Sequence, residues 1–198
     1  MNKKNYISLA NKAANIQIKE LKKIKKIFNK SFVKAVDLIL NCKGKIIFAG
    51  IGKSGLIARK ISATFSSVGM PSFFCDPAQA LHGDMGQIEK KDILIIFSYS
   101  GNTLELTNML KYANRYRIKI IGVASKPDSV LLKASDIKLI LPKVREADVT
   151  GMVPTSSTTI TLLLGDCLAT TVMHQKKFSK EKFKIFHPGG NIGASLLL

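Results

Sequence analysis

The sequence predicts an α/β fold in which a five-stranded parallel sheet is covered by helices on both faces. Two observations carry that expectation. Five short apolar runs rich in β-branched residues recur along the chain, and segments of helical period lie between them. A length of 198 residues, 46% hydrophobic and 22% charged, fits a single globular domain. At that size a chain buries about 70% of the surface its unfolded form exposes, enough to fold without a disulfide or metal staple.

The elements follow in order. Residues 5–28 space Ile7, Leu9, Ala13, Ile16, Ile18, Leu21, Ile24 and Ile27 at roughly helical intervals, and residues 32–40 repeat the pattern, so two helices precede the sheet. The first strand, 45–49, ends in Gly50-Ile51-Gly52-Lys53-Ser54-Gly55, after which residues 56–68 return to helical period. A second strand over 72–75 leads into a loop holding Pro77. A third, 92–97, leads into Ser98-Tyr99-Ser100-Gly101-Asn102-Thr103 and a helix over 104–116. The fourth and fifth strands cover 118–123 and 137–141, and residues 157–174 form a last, largely buried helix. No internal repeat or linker divides the chain.

Composition removes several functional classes. The three cysteines, Cys42, Cys75 and Cys167, lie in no CxxC or Cys/His cluster, which argues against a disulfide framework and a structural zinc. The N-terminus has no apolar signal region, and no apolar run approaches the roughly 18 residues that span a bilayer. A soluble, cytoplasmic protein without a membrane partner is expected. The net charge of +18 invites a nucleic-acid partner, yet only four of the 31 basic residues are arginines, the side chain that base and minor-groove readers favour. The densest stretch, Lys19, Lys22, Lys23, Lys25, Lys26 and Lys30, is the solvated face of a helix. No nucleic-acid partner is expected, and the charge serves to steer anionic substrates.

In open parallel sheets ligands bind beyond the carboxyl ends of the strands. Two glycine-rich turns lie at such ends. The first lacks both the acidic residue of a dinucleotide site and the spacing of a Walker A loop. The second offers the hydroxyls of Ser98, Ser100 and Thr103 with free N–H groups at a helix start, a cradle for one phosphate. Thr155-Ser156-Ser157-Thr158-Thr159 opens the final helix in the same way. One such cluster is most simply an N-cap; three at the strand ends of one sheet favour a phosphate ester.

These motifs, with His82-Gly83-Asp84, Pro154-Thr155-Ser156-Ser157-Thr158-Thr159 and His187-Pro188-Gly189-Gly190, resemble the sugar isomerase (SIS) domain and, more narrowly, the bacterial D-arabinose-5-phosphate isomerases. The resemblance runs from about residue 5 to 198, and the histidine-proline-glycine-glycine ending and the 154–159 segment are its most specific parts. It implies a three-layer α/β/α sandwich, no cofactor, and a homo-oligomer, tetramer or dimer, whose sites are completed by neighbouring subunits. The implied reaction interconverts D-ribulose 5-phosphate and D-arabinose 5-phosphate, feeding 3-deoxy-D-manno-octulosonate and lipopolysaccharide synthesis.

The resemblance places four residues at the chemistry: Lys53, Glu105, Glu146 and His187. An enediol isomerisation needs a base and an acid poised near neutral pH. His187 and Glu146 are the candidates for proton transfer, and which of them takes the carbon-bound proton stays open. Lys53 polarises the carbonyl or enediolate oxygen, and Glu105 positions Lys53 or a substrate hydroxyl. The expected substrate-binding set is Gly52, Ser54, His82, Ser98, Ser100, Gly101, Asn102, Thr103, Thr155, Ser156 and Ser157. His82 is also a contact for an inhibitory metal, although Asp76 stands before Pro77 where many family members carry a second histidine, and the mechanism requires no metal. His174 is expected to be an exposed or capping residue.

Typical members of that family continue into a paired CBS module, whereas this chain stops at Leu198. The expectation is a single SIS domain over 1–198, with N-terminal helices over about 5–41, no CBS domains and no response to adenine nucleotides. The final helix and the apolar end 192–198 are candidates for subunit contacts. The competing readings are an isomerase of sedoheptulose 7-phosphate or a hexulose 6-phosphate, and a non-catalytic sugar-phosphate sensor.

Overall fold

The structure, a computed structural model, describes residues 4–188. Gly189, Gly190 and the 192–198 segment lie outside the described residues. Helices α1 (Lys4–Leu21) and α2 (Lys30–Leu40) precede β1 (Ile46–Gly50), α3 (Gly52–Ser67), β2 (Ser72–Phe74) and β3 (Ile93–Phe97). Then follow α4 (Thr107–Arg115), β4 (Lys119–Ala124), α5 (Val130–Ala134), β5 (Ile137–Ile140), α6 (Ser156–Gln175) and α7 (Lys180–Phe186). All five strands are parallel, in the order β2-β1-β3-β4-β5. β1 and β3 pair from Ile46 opposite Ile93 to Gly50 opposite Phe97, so their carboxyl ends finish level.

Alternation along the strands divides the core into two layers. Ile46, Phe48, Ile93, Ile95, Phe97, Ile121 and Val123 face α2, α3 and α6, where Ile39, Ile61, Phe65 and Leu164 meet them. Ile47, Leu94, Ile96 and Ile120 face Met109 and Leu110 of α4 and Leu131 and Leu132 of α5. The three-layer sandwich with a five-stranded parallel sheet is thus present. α3 and α6 approach closely because Gly165 has no side chain: a Cβ there would lie 2.1 Å from Ile61 Cδ1. Among the described residues no helix is long and apolar enough to cross a membrane.

The structure differs from the sequence expectation at four boundaries. The first helix stops at Leu21, and Lys22–Ile27 is a 3-10 turn. With three residues per turn, that geometry stacks Ile24 and Ile27 on one buried side and leaves Lys22, Lys25 and Lys26 outside. α3 begins at Gly52 instead of residue 56, so the glycine-rich turn is itself the first helical turn; Gly55 permits this, since a Cβ there would stand 2.6 Å from the Gly50 carbonyl oxygen. The helix expected over 104–116 opens as a 3-10 turn, Leu104–Leu106. Finally, α6 is followed by α7, whose start is capped by the Ser179 hydroxyl accepting from the Lys182 N–H. His174 is exposed on the last turn of α6.

α4 and α6 end in Schellman caps on non-glycine residues. The Ile118 N–H reaches the Ala113 carbonyl at 2.8 Å across Arg117, which has φ 56°, and the Phe178 N–H reaches the Met173 carbonyl at 3.1 Å across Lys177, which has φ 49°. The left-handed conformation costs an L-residue more than glycine's chain entropy does. Arg117→Gly and Lys177→Gly should therefore each add about 0.5 kcal/mol, read as a rise in denaturant midpoint at constant slope.

Candidate active site

A cavity of about 360 Å³ opens beyond the carboxyl ends of β1 and β3, between the starts of α3 and α6. Lys53 and Ser54 enter it from the first turn of α3, and Ser98, Ser100 and Thr103 from the loop after β3. Glu146 enters from the segment after β5, and Ser157 from the first turn of α6. Two helices thus bring the positive ends of their dipoles and several hydroxyls to one point, an arrangement suited to an anionic ligand.

The loop after β3 is tied to its neighbours by residues that do not line the cavity. Gly101 is buried with φ +70°, and a Cβ there would lie 2.2 Å from Ser129 Oγ. Its carbonyl accepts from the Leu131 N–H at 3.0 Å, and Asn102 Oδ1 accepts from the Val130 N–H at 2.9 Å. Within the loop Ser98 Oγ and Thr103 Oγ1 share a hydrogen bond of 2.8 Å. Gly101→Ala combines backbone strain with steric overlap and should cost at least about 2 kcal/mol, measured by denaturant unfolding.

Glu146 is half-buried and fixed through one oxygen. Its Oε2 accepts from the Thr155 N–H at 2.7 Å, the Thr155 hydroxyl at 3.0 Å and the Ser157 N–H at 3.3 Å. Burial pushes its pKa up, but the hydrogen bonds from Ser157 and Thr155 outweigh that and hold the carboxyl below its ordinary value. The carboxylate also caps α6, since Thr155 at the helix entrance makes no side-chain cap bond of its own. Tyr99, which sequence reasoning passed over, lines the cavity as well. Its hydroxyl donates to the Pro142 carbonyl at 3.2 Å and accepts from the Val144 N–H at 3.0 Å, and burial raises its pKa. The signal for it was an aromatic ring inside a loop otherwise made of serine, glycine, asparagine and threonine. Thr161, which sequence reading missed, and Thr158, read only as part of the 155–159 cluster, line the cavity as well; their hydroxyls turn back to the Ser157 and Thr155 carbonyls, as threonines in helices do.

Other expected site residues lie elsewhere. Ser156 is wholly buried, its hydroxyl without a partner among the described residues. Gly52 borders a separate hollow with Arg59, Phe74 and Asp76. His82 is exposed at the end of the 3-10 turn Gln79–His82, and no three His, Cys, Asp or Glu side chains cluster as a metal group among the described residues. Glu105 is exposed on its 3-10 turn and pairs with no cation among the described residues, because the neighbouring Leu106 is the residue that turns into the core.

His187 does not line the cavity either. Phe178 and Phe186 stack at 6.1 Å, and both rings lie within 4 Å of where a Gly69 Cβ would be, just past the end of α3. Lys53 stands at the other end of that 16-residue helix, about 24 Å away along the axis. His187 caps α7, its ring stacked on Phe183 at 3.8 Å and its Nδ1 bonded to the Phe183 carbonyl at 2.8 Å.

The SIS domain profile matches residues 39–171. The arabinose 5-phosphate isomerase KdsD of Pseudomonas aeruginosa is 45% identical over 167 residues, which is 84% of this chain and 51% of that one. An uncharacterized protein of Rickettsia prowazekii is 42% identical over 196 residues, 99% of this chain and 61% of that one. Among solved structures, an Escherichia coli protein in complex with arabinose 5-phosphate superposes with a TM-score of 0.91 and 34% identity, over 95% of this chain and 100% of that one. This chain spans about half the length of the curated isomerases it matches. A parallel sheet in this strand order, a serine-threonine cavity at its carboxyl edge and a profile match over most of the chain lead to one conclusion: the chain belongs to the SIS domain family.

Proposed function

We propose that this protein is an aldose–ketose isomerase that interconverts D-ribulose 5-phosphate and D-arabinose 5-phosphate in the cytoplasm, on the route to 3-deoxy-D-manno-octulosonate and lipopolysaccharide. The observation that carries the reading is the meeting, in one cavity, of Lys53, Glu146 and the hydroxyl-rich starts of two helices. The named isomerases among its relatives and the arabinose 5-phosphate complex of a structural neighbour support the choice of sugar.

The chemistry follows from the placement. Ser98, Ser100 and Thr103 take the phosphate, while Gly101 and Asn102 shape their loop. Glu146, ionised at neutral pH and held through Oε2, removes a proton from C1 of the ketose. The electron pair forms the 1,2-enediolate, whose oxygen Lys53 stabilises. A proton passes from O1 to O2 of the enediolate, and return of a proton to C2 then gives the aldose. His187 is the acid for that return, and the packing of its neighbour Phe186 near Gly69, at the other end of α3 from Lys53, favours its acting outside its own cavity. It therefore serves the cavity of a second copy, which makes the homo-oligomer part of the mechanism. The exposed apolar side chains of α1, among them Ile7 at 71% and Ile18 at 55%, offer surface for such contact.

The direct test incubates chelator-treated protein, without added cofactor, with D-ribulose 5-phosphate, sedoheptulose 7-phosphate or fructose 6-phosphate and follows the products by NMR. Aldose from the pentulose alone is the expected result. Turnover of either of the other sugars alone would reassign the substrate, and binding without turnover would make the protein a sensor.

A further inference from the structure

The segment that delivers Glu146 is held in an unusual way. Between Leu141, whose N–H bonds to the Ala124 carbonyl, and Thr155 at the entrance of α6, five backbone groups of residues 142–147 bond to side chains, four of them on elements far away in sequence. Tyr99 takes the Pro142 carbonyl and the Val144 N–H, and Thr155 Oγ1 accepts from the Ala147 N–H at 2.8 Å. The remaining two ties come from the N-terminal helix and the turn that follows it. Lys23 Nζ donates to the Lys143 carbonyl at 3.2 Å, and Glu20 Oε2 accepts from the Arg145 N–H at 3.1 Å while forming an ion pair with Lys23.

Glu20 is only 6% exposed, a buried carboxylate on the last turn of α1. It does not line the cavity of about 360 Å³, so it touches no ligand there. Burying a carboxylate is costly unless it is paired and hydrogen-bonded, and here its partners are the Arg145 N–H and Lys23, which itself holds the Lys143 carbonyl. The Arg145 amide it fixes is one residue from Glu146.

We infer that Glu20 is a positioning residue: together with Lys23 it clamps the 143–145 backbone to α1 and so sets the placement of the Glu146 carboxylate in the cavity. This deepens the isomerase reading above and rests on it. The N-terminal helix is thereby part of the active-site scaffold, although none of its residues reaches the substrate. Loss of the clamp displaces the base without removing any group that binds the sugar phosphate, so it acts on turnover and spares affinity.

The test compares Glu20→Ala with Glu20→Gln, whose side-chain oxygen still accepts from the Arg145 N–H. Two quantities are measured: backbone amide exchange across residues 143–147, and kcat and KM for D-ribulose 5-phosphate. Glu20→Ala should exchange about tenfold faster in that segment alone and lose about tenfold or more in kcat with KM within about threefold. Glu20→Gln should keep both close to wild type. Unchanged exchange in folded Glu20→Ala overturns the inference, as does faster exchange with an unchanged kcat, or a loss that Glu20→Gln shares in full. Should Glu20→Ala not fold, Lys23→Met, which frees the Lys143 carbonyl, takes its place with the same expectations. A wild-type protein that turns over no sugar phosphate overturns the isomerase reading instead, and the exchange comparison then decides the clamp by itself.

Discussion

Glu146→Gln should lower turnover of D-ribulose 5-phosphate by at least about 100-fold, the usual scale for losing a general base, while the protein stays folded. Glutamine can still accept from the Thr155 and Ser157 N–H groups that Glu146 caps, so the start of α6 keeps its partners. What disappears is the charge and the proton acceptor. The pH dependence separates these two roles. Glu146 is held below its ordinary pKa by hydrogen bonds that outweigh its burial. A carboxyl depressed on folding adds stability that is present above its unfolded value and lost as pH falls through its folded value. The wild-type protein should therefore melt above Glu146→Gln at neutral pH, and the gap should close in acid. An unchanged turnover in Glu146→Gln would remove the residue from the proton transfer and leave it a cap.

The second large effect concerns His187. His187→Ala should also lose about 100-fold or more in turnover without loss of the oligomer. Because Phe186, next to His187, packs at the end of α3 opposite Lys53, the proposed mechanism draws the two halves of each site from different copies. Mixing Glu146→Gln and His187→Ala proteins under conditions that exchange subunits should then restore activity. A site works only when its own subunit keeps Glu146 and its neighbour keeps His187, so random exchange in a symmetric oligomer returns about one quarter of the wild-type rate. Absence of recovery after verified exchange would place both residues in one chain's site, or His187 outside the mechanism.

The sheet was legible because its central strands are apolar runs rich in isoleucine, as in Ile93–Phe97, and because parallel strands buried on both faces leave no polar alternation to confuse. The 3-10 turn at Lys22–Ile27 was not, since spacing Ile24 and Ile27 three apart suits an α-helix and a 3-10 turn equally. α7 escaped notice because seven residues with three lysines give a weak periodic signal. Within the site, Ser98, Ser100, Thr103 and Ser157 could be placed from a strand end and a helix start, whereas Lys53 and Glu146 were reached through the family resemblance; with Ser54 they line one cavity. Gly101 and Asn102 carry the same motif signature but hold the loop to α5, a distinction made only by tertiary neighbours such as Ser129 and Val130. Tyr99 and Glu20 were invisible for a related reason. Their partners lie 43 and 125 residues away in sequence, and no local pattern reports such a bond.

Proton-transfer isomerisation of a pentulose phosphate leaves a solvent label, read by running the reaction in D₂O and analysing the product by NMR. The wild-type protein should form D-arabinose 5-phosphate carrying deuterium at C2, and Glu146→Gln should not. Aldose formed without deuterium would replace the enediolate by a direct hydride shift, and no aldose from a protein that binds the pentulose phosphate would contradict the isomerase itself.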